Sequence, residues 1–75
     1  MSNLIVKATV LAGTDIHEAI LEAHEVAQRM HVNVNFQSNE LDVTVYSSGN
    51  VLVTSIKGKA ERTITFDVSN IPDHL

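Results

Sequence analysis

Apolar and polar residues alternate at the beginning of the chain, from Leu4 to Leu11. Two faces result, one formed by Leu4, Val6, Ala8 and Val10, the other by Ile5, Lys7, Thr9 and Leu11. A period of two is typical of a β-strand. Because no basic region precedes this run and Lys7 and Thr9 interrupt it, we interpret it as a first strand and not as a signal peptide.

The pattern takes a helical period after the break at "AGTD". Thr14 or Asp15 can cap the first turn, and Asp15 and Glu18 have the spacing of a capping box. On a helical wheel the apolar residues form one stripe, which we predict to be buried. The stripe consists of Ile16, Ala19, Ile20, Ala23, Ala27 and Met30, with Val26 at its edge.

After His31 the period returns to two, and two strands are predicted on either side of a turn at Ser38-Asn39. Their core-facing residues are Val32, Val34 and Phe36 in "HVNVNF" and Leu41, Val43 and Val45 in "ELDVTVY". Pairing around this turn sets Phe36 opposite Leu41, so both strands agree on one buried face.

Two more strands follow the turn "SSGN". A loop of even length assigns the first of them to two faces: Leu52, Thr54 and Ile56 in the core, and Val51 and Val53 on the other side, beside Tyr46. The last strand, "RTITFDV", turns three residues inward: Ile64, Phe66 and Val68. A tight turn at Gly58-Lys59 is rejected, because on this assignment it would bring Glu61 and Thr63 into the core.

These elements predict an α+β fold of order β-α-β-β-β-β, with a single helix packed on one face of a four- to five-stranded, mostly antiparallel sheet. We expect one domain over residues 1–75, with residues 69–75 as a short C-terminal extension. The first strand could lie parallel beside the second, through a right-handed crossover, or antiparallel beside the last. The face without the helix would mix Thr and Asn with apolar residues, and we expect something to cover it. Those apolar residues are Ile5, Leu11, Tyr46, Val51 and Val53.

Composition narrows the class of protein. A chain of 75 residues buries only a small core, so help from a partner subunit is expected. The absence of cysteine excludes disulfides, thiolate zinc sites and a cysteine nucleophile. The net charge of −4 argues against a nucleic-acid partner, and no apolar run approaches the roughly 20 residues that cross a bilayer. We therefore expect a cytoplasmic protein with no membrane contact and no cofactor.

Three of the four histidines stand seven residues apart in the predicted helix, at positions 17, 24 and 31. Seven residues are two helical turns, so successive imidazoles lie roughly 10 Å apart and cannot converge on one metal ion. No metal site is therefore expected. The spacing lines up one flank of the helix, formed by His17, Leu21, His24, Gln28 and His31. This flank is either a solvated side of the helix or a contact with a partner or a second subunit.

No reaction is indicated by the sequence. The serines lack the GxSxG context of a nucleophile, and one helix on a small sheet offers no deep pocket, so no catalytic residue is assigned. Lys57, Lys59 and Arg62 cluster around Gly58 in "KGKAER", where backbone N–H groups could hold an anion. The cluster is explained more simply as a plain solvated loop; in the functional alternative, Tyr46 could stack on a base beside that anion.

Two hypotheses for function follow. The first is a non-enzymatic interaction protein, a homo-oligomer that binds and blocks or scaffolds another protein. Phage accessory and anti-defence inhibitors offer an analogy, which rests on size and charge alone. The interface would use His17, Leu21, His24, Gln28, His31, Tyr46, Val51 and Val53. The alternative is a module that sequesters a small phosphorylated ligand, with a nucleotide-like anion held at a subunit interface by Lys57, Gly58, Lys59, Arg62 and Tyr46.

Overall fold

The structure is a computed structural model and describes residues 4–11, 13–38, 40–57, 60–73 and 75, with the backbone alone at residues 56, 57, 60 and 61. Within these residues five strands form one sheet, and a helix follows the first strand. The elements are β1 (Ile5–Ala8), α1 (Ile16–Met30), β2 (Asn33–Ser38), β3 (Leu41–Val45), β4 (Asn50–Lys57) and β5 (Ala60–Asp67), followed by a 3-10 turn, η1 (Val68–Asn70).

The order of strands in the sheet follows the order in the chain, β1-β2-β3-β4-β5. β1 runs parallel to β2, and every other neighbouring pair is antiparallel. The predicted α+β class, with a helix on one face of a mostly antiparallel sheet, is therefore confirmed. Of the two positions left open for the first strand, the parallel one beside β2 is observed, and it makes β1 an edge strand.

The helix begins where the sequence predicts. Asp15 is the N-cap, and its Oδ1 accepts a hydrogen bond from the backbone N–H of His17 at 3.2 Å. The helix ends at His31, which adopts a left-handed conformation with φ 55. Four residues of the predicted stripe are buried: Ala19, Ile20, Ala23 and Ala27.

The prediction that Met30 is buried is wrong, since its side chain is 59% exposed. The helix packs chiefly against β2 and β3. Val26, one turn before Met30, lines an open groove beside β1 and is 42% exposed. Residues four apart share a side of a helix, so Met30 lies on the same uncovered side.

The register between β2 and β3 differs from the predicted one by two residues. Phe36 pairs with Val43, not with Leu41, and Ser38 pairs with Leu41. The predicted turn at Ser38-Asn39 is therefore wrong, because Ser38 belongs to the ladder; Asn39 itself lies outside the described residues. Side chains alternate with a period of two, so a shift of two keeps the same residues inward. The predicted buried faces of both strands are accordingly preserved.

The predicted faces of β4 are wrong. Val51 pairs with Val45 and Val53 pairs with Val43, and both valines are buried, at 0% and 2% exposure. The loop that joins β3 to β4 has three residues, 47 to 49, because Tyr46 donates its backbone N–H to the carbonyl of Asn50 at 2.8 Å. An odd loop exchanges the two faces of the strand that follows. Val51 and Val53 therefore cannot form the exposed interface that the sequence predicted.

The same exchange corrects the connection between β4 and β5. Lys57 pairs with Ala60, so the connecting segment has two residues, Gly58 and Lys59. This is the short connection that the sequence analysis rejected. Both residues lie outside the described part of the chain. With Val51 and Val53 inward, this short connection sets them opposite Phe66 and Ile64. Ile64 and Phe66 therefore lie on the predicted face, although Ile64 is 40% exposed and Phe66 is half-buried.

The core lies between α1 and the centre of the sheet. The chain beyond β5 contributes to it, since Val68, Ile71 and Leu75 pack against the buried cluster. Residues 71 and 75 of the predicted C-terminal extension therefore pack against the core.

Candidate interaction surface

Exposed apolar side chains are concentrated along β1. Eight large apolar residues are exposed among the described residues, and six of them lie in or beside β1 or on the neighbouring side of α1. These six are Leu4, Ile5, Val6, Leu11, Val26 and Met30. Single exposed apolar residues need no explanation, but a contiguous group is typical of a binding surface.

β1 is exposed on both faces and along its outer edge. All four of its residues are classed as exposed, and within the described chain it pairs with β2 alone. The backbone N–H of Asn33 donates to the carbonyl of Leu4 at 3.0 Å, and Ile5 is level with Asn33 in this parallel pair. In a parallel ladder, alternate residues direct their N–H and C=O groups to the same neighbour. Ile5 and Lys7 therefore direct theirs outward, away from β2.

An open groove of about 650 Å³ separates β1 from α1 on the helix side of the sheet. Its apolar lining comes from the strand, from the helix and from β2: Val6, Ala8, Val10, Ala19, Ala23, Val26, Val34 and Phe36. The helix residues Ala19 and Ala23 have short side chains, so the groove extends toward the helix backbone. A volume of this size is within the range of natural binding sites.

The charges at this groove are negative. Glu18 and Glu22 line it, one helical turn apart, and both are exposed. The helical residue pair that does form an ion pair, Glu25 with Arg29 at 3.0 Å, is not among the residues that line the groove. The two glutamates therefore give the apolar groove an acidic rim, which favours a positively charged partner.

The sheet face opposite the helix is more polar than the sequence analysis expected. Asn35 donates through Nδ2 to Asp42, to the Val43 carbonyl and to Thr44 at 3.0–3.1 Å. With Val51 and Val53 in the core, the large apolar side chains that the described residues place on this face are Ile5 and the half-buried Tyr46 and Leu52. A network of satisfied polar groups is typical of a solvated face, so this face offers less support for a covered surface than β1 does.

The histidine flank of α1 divides into two parts. The imidazole Nε2 of His17 lies 3.0 Å from the carbonyl oxygen of Pro72, and His24 is half-buried beside Gly49 and Asp67. Leu21, Gln28 and His31 are exposed. The chain's own C-terminal segment therefore occupies the side of the helix that carries His17 and His24, and only the other three predicted contact residues remain accessible.

Asp67 organises the turn below His24. Its Oδ2 accepts hydrogen bonds from the backbone N–H of Ser69 at 3.0 Å and from the Ser69 hydroxyl at 2.6 Å. These two bonds lower the pKa of Asp67 below its ordinary value, and the nearby His24 contributes in the same direction. The Nε2 atom of His24 is buried and has no hydrogen-bond partner among the described residues.

Two of the residues predicted to hold an anion, Tyr46 and Arg62, lie far apart in the described part of the chain. Tyr46 stands at the beginning of β4, level with Asn50, whereas Arg62 pairs with Ser55 and Lys57 ends the strand. Seven residues of strand separate Asn50 from Lys57, a distance of about 23 Å. Gly58, Lys59 and the side chain of Lys57 lie outside the described part of the molecule. A phosphate near Arg62 would thus be far from a base stacked on Tyr46 of the same chain.

Sequence reasoning missed the groove and the β1 edge, although two features indicated them. A helix is about 10 Å wide, whereas five strands span about 19 Å. One helix therefore leaves part of the sheet uncovered on its own side. The position of Val26 at the margin of the apolar stripe was the second indication.

Metal and membrane sites were also sought in the part of the chain that the structure describes. No group of three or more His, Cys, Asp or Glu side chains there could hold a metal ion. The 15-residue helix α1 is too short and too polar to cross a bilayer, and the described residues contain no other helix that could.

Comparison with known proteins gives no relative. No protein-family model matches the chain, and no significant match was found among curated proteins or among solved structures. Any proposal for function therefore depends on the surface itself.

Proposed function

We propose that this protein is a non-enzymatic interaction module that binds a segment of another protein in the groove between β1 and α1, and so blocks or scaffolds that protein. The observation that carries the proposal is the concentration of exposed apolar side chains around this groove, where Val6 is 38% and Val26 is 42% exposed. A small domain gains stability by burying such side chains, so their exposure favours a binding role.

The groove also suggests the chemistry of its partner. Apolar side chains would occupy the space over Val6 and Ala8 and against Ala23. Positively charged side chains beside them would approach the carboxylates of Glu18 and Glu22. We therefore expect a segment in which apolar residues are flanked by lysine or arginine. Charge complementarity of this kind contributes more to the association rate and to specificity than to affinity.

The alternative function, sequestration of a nucleotide-like anion, has weaker support. Within one chain, Tyr46 lies about 17 Å along the sheet from Arg62 and about 23 Å from the backbone of Lys57, so the ligand would have to bridge two subunits. No observation on the described residues favours such a bridge, and we therefore prefer the protein-binding role.

Affinity capture from cell extract with matched variants tests the proposal. Val26→Glu places a third carboxylate in the groove, whereas Leu21→Glu makes the same change at a residue that is 52% exposed on the other side of the helix. We expect Val26→Glu to lose the captured protein and Leu21→Glu to retain it. Calorimetry with the purified partner should then show a loss of affinity of at least about 10-fold for Val26→Glu.

Reversing a rim charge gives an independent measurement. Glu22→Lys should slow association and reverse its dependence on salt, because it opposes a positive partner. Equal capture by the wild type, Val26→Glu and Glu22→Lys would show that the groove is not the binding surface.

A further inference from the structure

We propose that the outer edge of β1, which no other described strand pairs with, pairs with β1 of a second copy of this chain, in antiparallel orientation about a two-fold axis through Val6. The pairing would join two five-stranded sheets into one continuous sheet. It uses the backbone groups at the outer edge of β1, so it goes beyond the proposed function and does not depend on it, although Val6 and Ala8 also line the groove.

The backbone of β1 supplies the bonds for such a pair. Ile5 and Lys7 direct their N–H and C=O groups outward, because the parallel ladder with β2 uses those of the residues between them. In an antiparallel pair, two residues that both face the partner exchange two hydrogen bonds. Setting Ile5 opposite Lys7 of the second copy satisfies this condition twice, and the symmetric dimer gains four hydrogen bonds.

The side chains select this register over its neighbours. A two-fold axis through Lys7 would set two ammonium groups directly opposite each other, which is destabilising. An axis through Ile5 would shift the pairing out of the strand toward its beginning. The axis through Val6 sets Val6 against itself, Leu4 against Ala8, and Ile5 against the aliphatic stem of Lys7. Every directly opposed pair is then apolar or uncharged on at least one side.

The exposed apolar residues of β1 are the ones that this arrangement covers. Leu4, Ile5 and Val6 are 68%, 59% and 38% exposed, and in the pair each faces an aliphatic side chain of the second copy. A lone edge strand with apolar side chains on both faces invites pairing of this kind. Burial of these side chains would also compensate for the small core of a 75-residue chain.

The negative charges of the two copies do not oppose the pair. Both helices would lie on the same face of the joined sheet, each above its own β2 and β3. Four strand spacings then separate the helix axes, about 19 Å. A helix with its side chains is about 10–12 Å wide, so the facing surfaces that carry Glu18 and Glu22 would lie about 8 Å apart across solvent, about one Debye length, where salt screens much of their repulsion.

Because the chain has no cysteine, one introduced thiol reports the symmetry directly. Val6 opposite Val6 is a pair without mutual hydrogen bonds, with Cα atoms about 4.5 Å apart, which a disulfide can span. We expect Val6→Cys to form a disulfide-linked dimer under mild oxidation. Gln28→Cys, on an exposed part of α1, is the matched control and should stay monomeric under the same conditions.

Association without a cross-link is tested by sedimentation equilibrium. Lys7→Pro removes an outward N–H while leaving the ladder to β2 intact, a substitution that edge strands tolerate. Lys7→Thr removes the same side chain and keeps the N–H. The dimer loses two of four interchain hydrogen bonds in Lys7→Pro, so its dissociation constant should rise about 10- to 100-fold above that of Lys7→Thr.

Three results would overturn the inference: a wild-type chain that is monomeric up to about 1 mM, equal association of Lys7→Pro and Lys7→Thr, or cross-linking by Gln28→Cys in place of Val6→Cys. None of these results bears on capture of another protein by the groove, which Val26→Glu tests separately. Circular dichroism of each variant confirms that the fold is retained.

Discussion

Gly49 is the residue at which the structure makes its sharpest prediction for stability. It ends the three-residue loop between β3 and β4 and has φ +103, a conformation that L side chains rarely adopt. Its N–H donates to the carbonyl of Tyr46 at 2.9 Å, and its own carbonyl accepts from Val68 at 2.9 Å. The residue therefore cannot change its conformation without loss of these bonds, and Gly49→Ala must accommodate a Cβ in the existing backbone.

The cost of that Cβ has two parts. The backbone conformation alone costs a non-glycine residue about 1–3 kcal/mol. The new Cβ would also lie 3.1 Å from Oδ1 of Asp67 and 3.6 Å from Cγ2 of Val68. Because Asp67 is held by two bonds from Ser69, moving it away weakens them. We expect Gly49→Ala to lower the free energy of unfolding by about 3 kcal/mol, or the melting temperature by more than about 10 °C.

Gly13→Ala is the matched control. Gly13 also has a positive φ, +89, but nothing lies within 4 Å of its Cβ position. It should therefore show the backbone cost of about 1–3 kcal/mol without the contact cost, and lose less stability than Gly49→Ala. Urea titrations followed by circular dichroism measure both variants on the same scale. Equal losses in the two variants would refute the close approach of Gly49 to Asp67, and with it the loop geometry that directs Val51 inward.

Three further predictions follow from the core, the carboxylate and the C-terminal segment. Val51→Ala removes a fully buried side chain and should lower the free energy of unfolding by about 2 kcal/mol in urea titrations. Thr54→Ala, on the opposite face of β4, should lower it by less than about 1 kcal/mol. A larger loss for Thr54→Ala would favour the face assignment that was predicted from the sequence. The folded-state pKa of Asp67 is lowered from 3.8, so the stability it contributes is present above that value and is lost as the pH falls through the folded pKa. Asp67→Asn should therefore lose less stability than the wild type on acidification from about pH 5 to about pH 2.5, and parallel pH profiles would contradict this assignment. His17→Ala removes the bond to Pro72 and should cost about 1 kcal/mol, with faster amide hydrogen exchange confined to the C-terminal segment; unchanged exchange there would show that the imidazole does not hold it.

The fold class and most buried faces were predictable because they depend on periodicity alone. The apolar stripe of α1 predicted the burial of Ala19, Ile20, Ala23 and Ala27, and the period of two predicted the buried face of β2 and β3. An error of two residues in the register between these strands did not change the face, because the period of a strand is two. Predictions that depend on which side of an element is apolar thus tolerate errors in pairing.

The faces of β4 were not predictable by the same means, because each face of residues 51–56 carries two apolar residues and one polar residue. Val51 and Val53 compete with Leu52 and Ile56, so the parity of the preceding loop decides. "SSGN" is compatible with an even or an odd loop, and the left-handed Gly49 that closes a three-residue loop is a common solution. The wrong loop length before β4 also led to rejection of the two-residue connection after Lys57. Once the faces of β4 are exchanged, that connection sets Val51 and Val53 opposite Phe66 and Ile64.

The histidine spacing excluded convergence on one metal ion for a geometric reason, but it did not predict what would contact the flank. His17 and His24 lie on the side where the chain returns after β5, and the C-terminal segment is too far along the sequence for a local pattern to place it. The buried Nε2 of His24 lacks a partner among the described residues, and such a polar atom costs about 1–3 kcal/mol. Attachment of the C-terminal segment therefore depends on the apolar contacts of Val68, Ile71 and Leu75 and on the bond from His17, and not on His24.

The uncovered surface beside β1 follows from the topology and not from any single residue. A helix about 10 Å wide covers roughly two strand spacings of a sheet that spans about 19 Å. Since α1 sits over β2 and β3, the strips over β1 and over β4 and β5 both need another cover. In the C-terminal segment, Val68, Ile71 and Leu75 pack against the core. The described residues supply no cover for the strip over β1. Val6 and Val26 make this strip apolar, as the buried face of a sheet is. A sequence that keeps apolar residues where its own chain provides no cover is expected to bury them against another molecule, and this makes the β1 side, not the polar face of the sheet, the place to look for one.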